Sequence, residues 1–235
     1  MSADTSSWRR FWDRPHRIYA NARHRDFHYR RIAEQLIAQI PNDRSVVLDY
    51  GCGEALHADL VAAKCGNLIL TDSSSSLRAS LSARFASHPT IRVASPEEIA
   101  GGPAARFDLI VMASVVQYMS RDELTALVAM FLSKLVPGGR LILADVIPPD
   151  LSMAADIRSL LRTAREGGFL IAAVVGLVAT FFSDYRRLRR EVGLTCYTEA
   201  EMLTLLTRAG FEARRNAVNL YFHPGRTSFI ATRPR

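Results

Sequence analysis

The residues best suited to do chemistry lie in one stretch, Val46-Val47-Leu48-Asp49-Tyr50-Gly51-Cys52-Gly53-Glu54-Ala55: an apolar run that ends in Gly-x-Gly and leads into a helix-like segment. Glycines at a strand end let the backbone approach a ligand closely and present amide groups to it. A second apolar run ends in Asp72, 23 residues after Asp49. A carboxylate there suits the two hydroxyls of a ribose. A dinucleotide-binding loop would place a third glycine where Leu56 stands, and a phosphate-binding loop would carry Gly-Lys-Ser/Thr, which is absent. What remains is an acid two residues before the first glycine, a ribose acid, and no phosphate device. That set suits a nucleoside carrying an amino-acid tail in place of a pyrophosphate.

The elements that must position these residues alternate. Apolar positions at helical spacing predict a helix over 26–40, stopped by Pro41, Asn42 and Asp43. Strands are predicted at 46–50, 68–71, 91–94, 107–112 and 140–147, with helices at 56–64, 74–85 and 122–135 between them. Strands alternating with helices predict an α/β fold built on a doubly wound, mostly parallel sheet. An insertion is expected at 150–195, followed by a helix at 198–209 whose Thr198 and Glu201 have capping-box spacing. Two β-like runs near 211–222 and 227–232, with Pro224-Gly225 between them, predict an antiparallel hairpin on the sheet edge.

The composition bounds the class. The chain has 235 residues, 49% hydrophobic and 23% charged, enough apolar content for one domain with additions and too much for a disordered chain. Cys52, Cys65 and Cys196 are too few and too scattered for a disulfide framework or a zinc site, so no metal is expected and a reducing cytoplasm is. The net charge is +7, and all basic residues except Lys64 and Lys134 are arginine. The charge suits an anionic partner, and codon bias accounts for it equally well. Residues 1–31 form a distinct basic arm with interleaved aromatic residues. We therefore expect an arm over 1–31 and one domain over 32–235.

At this point the residues resemble the class I S-adenosylmethionine-dependent methyltransferase family. The likeness spans roughly 44–147, with a looser one at 196–232. The segment LDYGCGEALHADLVA resembles the family's glycine-rich loop, FDLIV at 107–111 its fourth strand, SVVQY at 114–118 the segment after it, and LVPGGRL at 135–141 the turn into its fifth strand. The resemblance implies a seven-stranded Rossmann-like sheet in the order 3-2-1-4-5-7-6, with the last strand antiparallel, and S-adenosylmethionine as cofactor. It implies that Asp49, Gly51, Cys52 and Gly53 line the methionine and ribose side. Asp72 would take the ribose hydroxyls with Ser73 beside it. Ser95, Pro96 and Glu97 would lie against the adenine, and Ser114 near the methionine end. In similar enzymes the segment before the first core helix covers the cofactor, so Tyr19 and Arg23 are expected on its methionine tail. The chain departs from the family pattern at Ala55, where the third glycine would stand, and at Ser95, where an acid is frequent.

Methyl transfer from a sulfonium needs positioning and desolvation, and a base only where the acceptor must lose a proton early. The candidate catalytic bases are His24 and His28. Gln117, Tyr118 and His223 are candidates for acceptor contact. An Asn/Asp-Pro-Pro-aromatic sequence after the fourth strand would suggest nucleic-acid bases as substrate. Ala113-Ser114-Val115-Val116 stands there, which argues against nucleic acid. The run FLIAAVVGLVATFF at 169–182 is uncharged but falls inside the domain, so a lid helix is expected rather than a membrane span. With Arg186, Arg187, Arg189 and Arg190 after it, peripheral contact with anionic lipid is the second expectation. The expected activity is transfer to an oxygen or nitrogen atom of a small or lipid-like acceptor with an apolar portion. The rival is a non-catalytic module of the same fold that binds nucleic acid or anionic membrane through its arginines. The sequence leaves the oligomeric state open.

Overall fold

A computed structural model describes residue 19 and residues 21–171, 194–220 and 223–235. Its sheet has seven strands: β1 (Val46–Tyr50), β2 (Asn67–Thr71), β3 (Ile91–Val93), β4 (Phe107–Ala113), β5 (Leu135–Val146), β6 (Glu212–Arg215) and β7 (Thr227–Thr232). They lie in the expected order, β3-β2-β1-β4-β5-β7-β6. The strands β1 to β5 pair in parallel, and β7 runs antiparallel to both β5 and β6.

The central strands are apolar on both faces because helices cover both faces. Successive side chains point to opposite sides of a strand. Leu48, Ile69 and Ile110 therefore pack on one side with α5 (Arg121–Lys134) and α7 (Glu199–Arg208). Val47, Leu68, Leu109 and Val111 pack on the other with α1 (Ala22–Ile37), α2 (Ala58–Ala62) and α3 (Ser75–Arg84). The capping box expected at Thr198 is present, with the Thr198 side chain accepting from the Glu201 amide.

Three elements differ from expectation. α1 starts at Ala22, a turn before the predicted 26, because Asn21 caps it by accepting from the His24 amide at 2.8 Å. Arg23, His24 and His28 thus stand on a helix, and the boundary drawn at residue 31 falls inside it. β5 begins at Leu135, through a bulged start opposite Phe107 and Leu109, rather than at Arg140. A short helix, α4 (Pro96–Gly101), follows β3; its signal was the capping box between Ser95 and Glu98 with proline at the first turn.

From the insertion the described part is α6 (Met153–Glu166) and the residues up to 171. Most of the apolar run 169–182, the arginines at 186–190 and arm residues 1–18 lie outside the described residues. Among the described residues no helix is long and apolar enough to cross a membrane.

Candidate active site

The carboxyl ends of β1, β2, β4 and β5 converge where ligands of doubly wound sheets lie. At the end of β1 the backbone turns left-handed three times, at Gly51 (φ +81°), Gly53 (φ +58°) and Ala55 (φ +42°). A side chain on Gly51 would come within 2.4 Å of Val115 Cγ2, and one on Gly53 within 2.6 Å of the Tyr29 hydroxyl. The glycines are thus required by both conformation and space.

The geometry corrects the expectation that these glycines offer their amides to a ligand. The Gly51 and Cys52 amides donate to the Thr71 carbonyl at 2.8 and 3.1 Å. The Gly53 amide donates to Asp72 Oδ2 at 3.1 Å, and the Glu54 amide to the Tyr29 hydroxyl at 2.8 Å. What the loop supplies is room and a shaped floor. Its far side is held by Arg84, which donates to the carbonyls of Glu54 and Ala55 at 2.6 and 2.8 Å. Arg78 does the same for the carbonyls of Asp72 and Ser73, at 2.7 and 3.0 Å.

Two carboxyl groups face each other here. Asp72 accepts from the amides of Gly53 and Ser74. An ionised carboxylate has about four lone-pair sites, so two amides leave acceptor capacity for a pair of hydroxyls. Asp49 is buried, and burial together with the nearby Asp72 pushes its carboxyl up to about 7. A cationic ligand group beside it would relieve that cost. Cys52 is buried and its thiol is pushed well up, chiefly by burial, so it is a filler and no nucleophile. A nucleoside with a cationic amino-acid tail fits this donor set.

After β3, Ser95 is the N-cap of α4. Its hydroxyl accepts from the Glu98 amide and its own amide donates to Glu98 Oε2 at 2.7 Å. Pro96 opens that helix, and Glu97 stands exposed in its first turn.

The ends of β4 and β5 carry a second polar centre, which the sequence reading found only in part. Ser114 (φ +56°) and Asp145 (φ +63°) are both left-handed without being glycine. The Ser114 hydroxyl donates to Asp145 Oδ2 at 2.7 Å, and Arg226 donates to the same oxygen at 2.6 Å. Asn219 donates to Asp145 Oδ1 and to the His223 carbonyl, and accepts from the Asp145 amide and the Ser228 hydroxyl. Asp145, Asn219 and Arg226 carry no motif; a buried acid at the end of the fifth strand was the one available signal. His223 is buried, its Nδ1 accepting from the Gly225 amide at 3.0 Å. Gln117 is also buried. Its side chain donates to the Ser114 carbonyl at 2.7 Å, and its own carbonyl accepts from Thr195, which places it under the returning chain. Tyr118 ends the one-turn 3-10 helix Val116–Tyr118 and packs against the adjoining apolar core.

The first two turns of α1 wall the site. Tyr29 reaches the glycine loop, and burial pushes its hydroxyl up to about 12. Arg25 pairs with Glu54 at 3.3 Å, and Asp26 with His57 at 2.9 Å. Tyr19 lies against the rings of His24, His28 and Tyr29, and its hydroxyl is pushed up by burial and by Tyr29. His24 stacks on Phe169 at 4.4 Å between ring centres, which brings the chain after α6 onto α1. Arg23 approaches the same turn at Gly168. Burial lowers the pKa of His24. His28 is held down at about 4 by burial and by His24, against the pull of Asp145. The structure therefore brings Tyr19, His24 and His28 together, and sets His28 within the field of Asp145.

A family model described as a methyltransferase domain matches residues 47–139, from β1 to the start of β5. No curated protein matches the chain significantly. Solved structures share the fold at low identity. The putative methyltransferase of Haloferax volcanii, solved with the Trm112 activator, is 12% identical with a TM-score of 0.61, covering 100% of both chains. A possible exported protein of Bordetella parapertussis is 19% identical with a TM-score of 0.59, over 88% of this chain and 67% of that one. S-adenosylmethionine-bound CalS10 of Micromonospora echinaspora, an amino pentose methyltransferase, is 17% identical with a TM-score of 0.57, over 88% and 91%. The domain match falls on the strands that carry the glycine loop, Asp72 and Ser114, within a sheet of the family's strand order. Residues 47–139 thus match a methyltransferase domain, and the sheet around them has the fold of the class I S-adenosylmethionine-dependent methyltransferases.

Proposed function

We propose that this enzyme methylates an oxygen or nitrogen atom of a small or lipid-like acceptor with an apolar portion. The observation that carries the proposal is the wall that α1 raises over the strand ends. It places His28 among Tyr19 and Tyr29 and within the field of the Asp145 carboxylate. On this reading Asp72 takes the ribose hydroxyls of the cofactor, with Ser73 beside it. Asp49, Gly51, Cys52 and Gly53 line its ribose and methionine side, and Ser95, Pro96 and Glu97 flank the adenine. Tyr19, Arg23 and Ser114 lie toward the methionine end.

When bound, the cofactor supplies a methyl group on a sulfonium, already activated for in-line displacement. The aromatic wall formed by Tyr19, His24, Phe27 and Phe169 excludes water and takes the apolar part of the acceptor. His28 is neutral at physiological pH, so a ring nitrogen can accept the proton that the acceptor atom loses. Asp145 then favours the imidazolium that forms. Gln117 acts from behind this surface by holding the Ser114 carbonyl, and His223 by accepting from Asn219, which bonds Asp145, while Tyr118 packs against the adjoining core.

The test is release of S-adenosylhomocysteine over a panel of apolar amines, phenols and long-chain alcohols, with calorimetry of cofactor binding alongside. For a hydroxyl acceptor, His28→Gln is expected to lower kcat about 100-fold or more, within the usual range for loss of a general base. Cofactor affinity should stay within about twofold. An unchanged kcat would remove His28 from the chemistry.

A further inference from the structure

We infer that the acceptor carries an anionic group, a carboxylate or a phosphate, which docks in a cleft between α1 and the β6–β7 connection. The inference rests on the methyltransferase reading for the acceptor, but the cleft can be tested without it. Its volume is about 310 Å³, and Arg31, Gln35, Arg215, Asn216, Asn219 and Arg226 form its polar wall. Among the described residues no Asp or Glu lines it. Three guanidiniums with the side-chain amides of Gln35 and Asn216 make a surface that selects a planar or tetrahedral oxyanion, while Asn219 bonds Asp145 and the His223 carbonyl behind it.

Two of the arginines are held from behind. Arg215 pairs with Glu199 at 2.7 Å through Nη1, and Arg226 with Asp145 at 2.6 Å through Nη1. A guanidinium has five N–H donors in a rigid fork, so the bond of Arg215 to Glu199 through one nitrogen orients it for a ligand rather than exhausting it. The pairing thus preorganises the cleft, which lowers the cost of ordering side chains on binding.

The cleft shares a hydrogen-bond network with the proposed methyl-transfer site. Asn219 and Arg226 both line it and both bond Asp145, which also accepts from Ser114 beside the glycine loop. On α1, His28, Arg31 and Gln35 follow at spacings of three and four, which puts them along one stripe of the helix. At 1.5 Å per residue, the acceptor atom at His28 and the anion between Arg31 and Gln35 are about 5–10 Å apart. That separation fits an aromatic ring or a short alkyl chain between the two groups.

The full-length protein saturated with S-adenosylhomocysteine is titrated with inorganic phosphate and with acetate by calorimetry. Saturable binding is expected, weakened at least tenfold in Arg31→Ala/Arg215→Ala. It should also be weakened in Gln35→Glu, a near-isosteric change that puts a carboxylate in the cleft. No saturable binding of either anion, or equal binding by the variants, overturns the proposal. A second arm uses matched phenols and amines with and without a terminal carboxylate or phosphate, read as S-adenosylhomocysteine release. A KM at least tenfold lower for the charged members, erased in the double variant, supports the proposal. Preference for the neutral members, unchanged in the variant, overturns it. Failure of the wild type to bind S-adenosylmethionine would fall on the cofactor reading alone, since the anion titration without cofactor still decides the cleft. Phosphatidate vesicles distinguish the sources of the anion. Co-sedimentation that phosphate competes away and the double variant loses identifies a lipid headgroup; its absence beside positive anion binding identifies a small acceptor.

Discussion

At the end of β1 the chain turns left-handed on glycine; at the ends of β4 and β5 it makes the same turn on Ser114 and Asp145. The first region avoids strain by having no side chain at Gly51 and Gly53, and its backbone amides close onto Thr71, Asp72 and Tyr29. The second accepts strain and holds it with hydrogen bonds from Arg226 and Asn219, more than 70 residues along the chain. A non-glycine residue at positive φ costs on the order of 1–3 kcal/mol and persists where its surroundings over-determine it. The glycine-loop half is therefore a passive mould, while the half at Ser114 and Asp145 is a tensioned network built around a carboxylate.

The largest effect expected from this contrast is at Asp145. Asp145→Ala leaves Arg226 and Asn219 facing a buried gap, and removal of one partner of a largely buried pair costs about 3 kcal/mol or more. Thermal unfolding should show a fall of roughly 10 °C for a chain of this size. Relief of the local strain should run in opposite directions in the two halves. Ser114→Gly should be more stable than Ser114→Ala by about 1 kcal/mol, since both lose the hydroxyl and only glycine is at ease at φ +56°. Gly51→Ala should destabilise by about 2 kcal/mol, because it adds both the strain and the collision with Val115. Equal stability of the two Ser114 variants would mean that the second region is not strained.

The same contrast explains what was legible from the sequence. The loop needs glycines, and glycines in Gly-x-Gly after an apolar run are visible; so is Asp72 at a strand end, while the full strand order came from the family resemblance. The half at Ser114 and Asp145 is made of acids, amides and arginines that any surface also carries, and they meet through β5–β7 pairing. His28 and Ser114 were readable as candidates, but Asp145, Asn219 and Arg226 had no local pattern. Tyr29 and Arg84, which grip the loop from α1 and α3, were missed for the same reason. The start of α1 was misplaced because one side-chain cap at Asn21 outweighs a weak periodicity over the next turn.

A second way to sharpen the comparison uses Asp49, where the glycine-loop half carries an electrostatic cost. Its carboxyl is raised from the ordinary 3.8 to about 7. Between those values the folded state keeps a proton that the unfolded state has lost, so stability contributed by Asp49 falls as pH rises through that window. Asp49→Asn removes the dependence. In thermal unfolding without cofactor, the variant should melt about 4 °C or more above the wild type at pH 8 and no higher at pH 4. Wild-type affinity for S-adenosylmethionine should strengthen as pH rises through about 7, as the carboxylate becomes available to the cationic tail. In Asp49→Asn that pH dependence should vanish along with most of the affinity. A variant that is no more stable at pH 8 would show that Asp49 is relieved without the cofactor.

The smallest effect separates conformation from chemistry within the loop itself. Ala55 stands where the family has its third glycine and still adopts φ +42°. Its carbonyl is gripped by Arg84 at 2.8 Å, and the residue is buried, so the backbone is held left-handed by its partners, as at Ser114. Ala55 is thus a fragment of the second strategy inside the first region. Ala55→Gly removes the side-chain strain but gives the unfolded chain more freedom, and those two effects oppose each other at about 1 kcal/mol each. The expected outcome is a melting temperature within about 2 °C of the wild type and an unchanged affinity for S-adenosylmethionine. A gain in affinity would show that Ala55 narrows the cofactor floor, and that the loop's shape, beyond its lack of side chains at Gly51 and Gly53, limits binding.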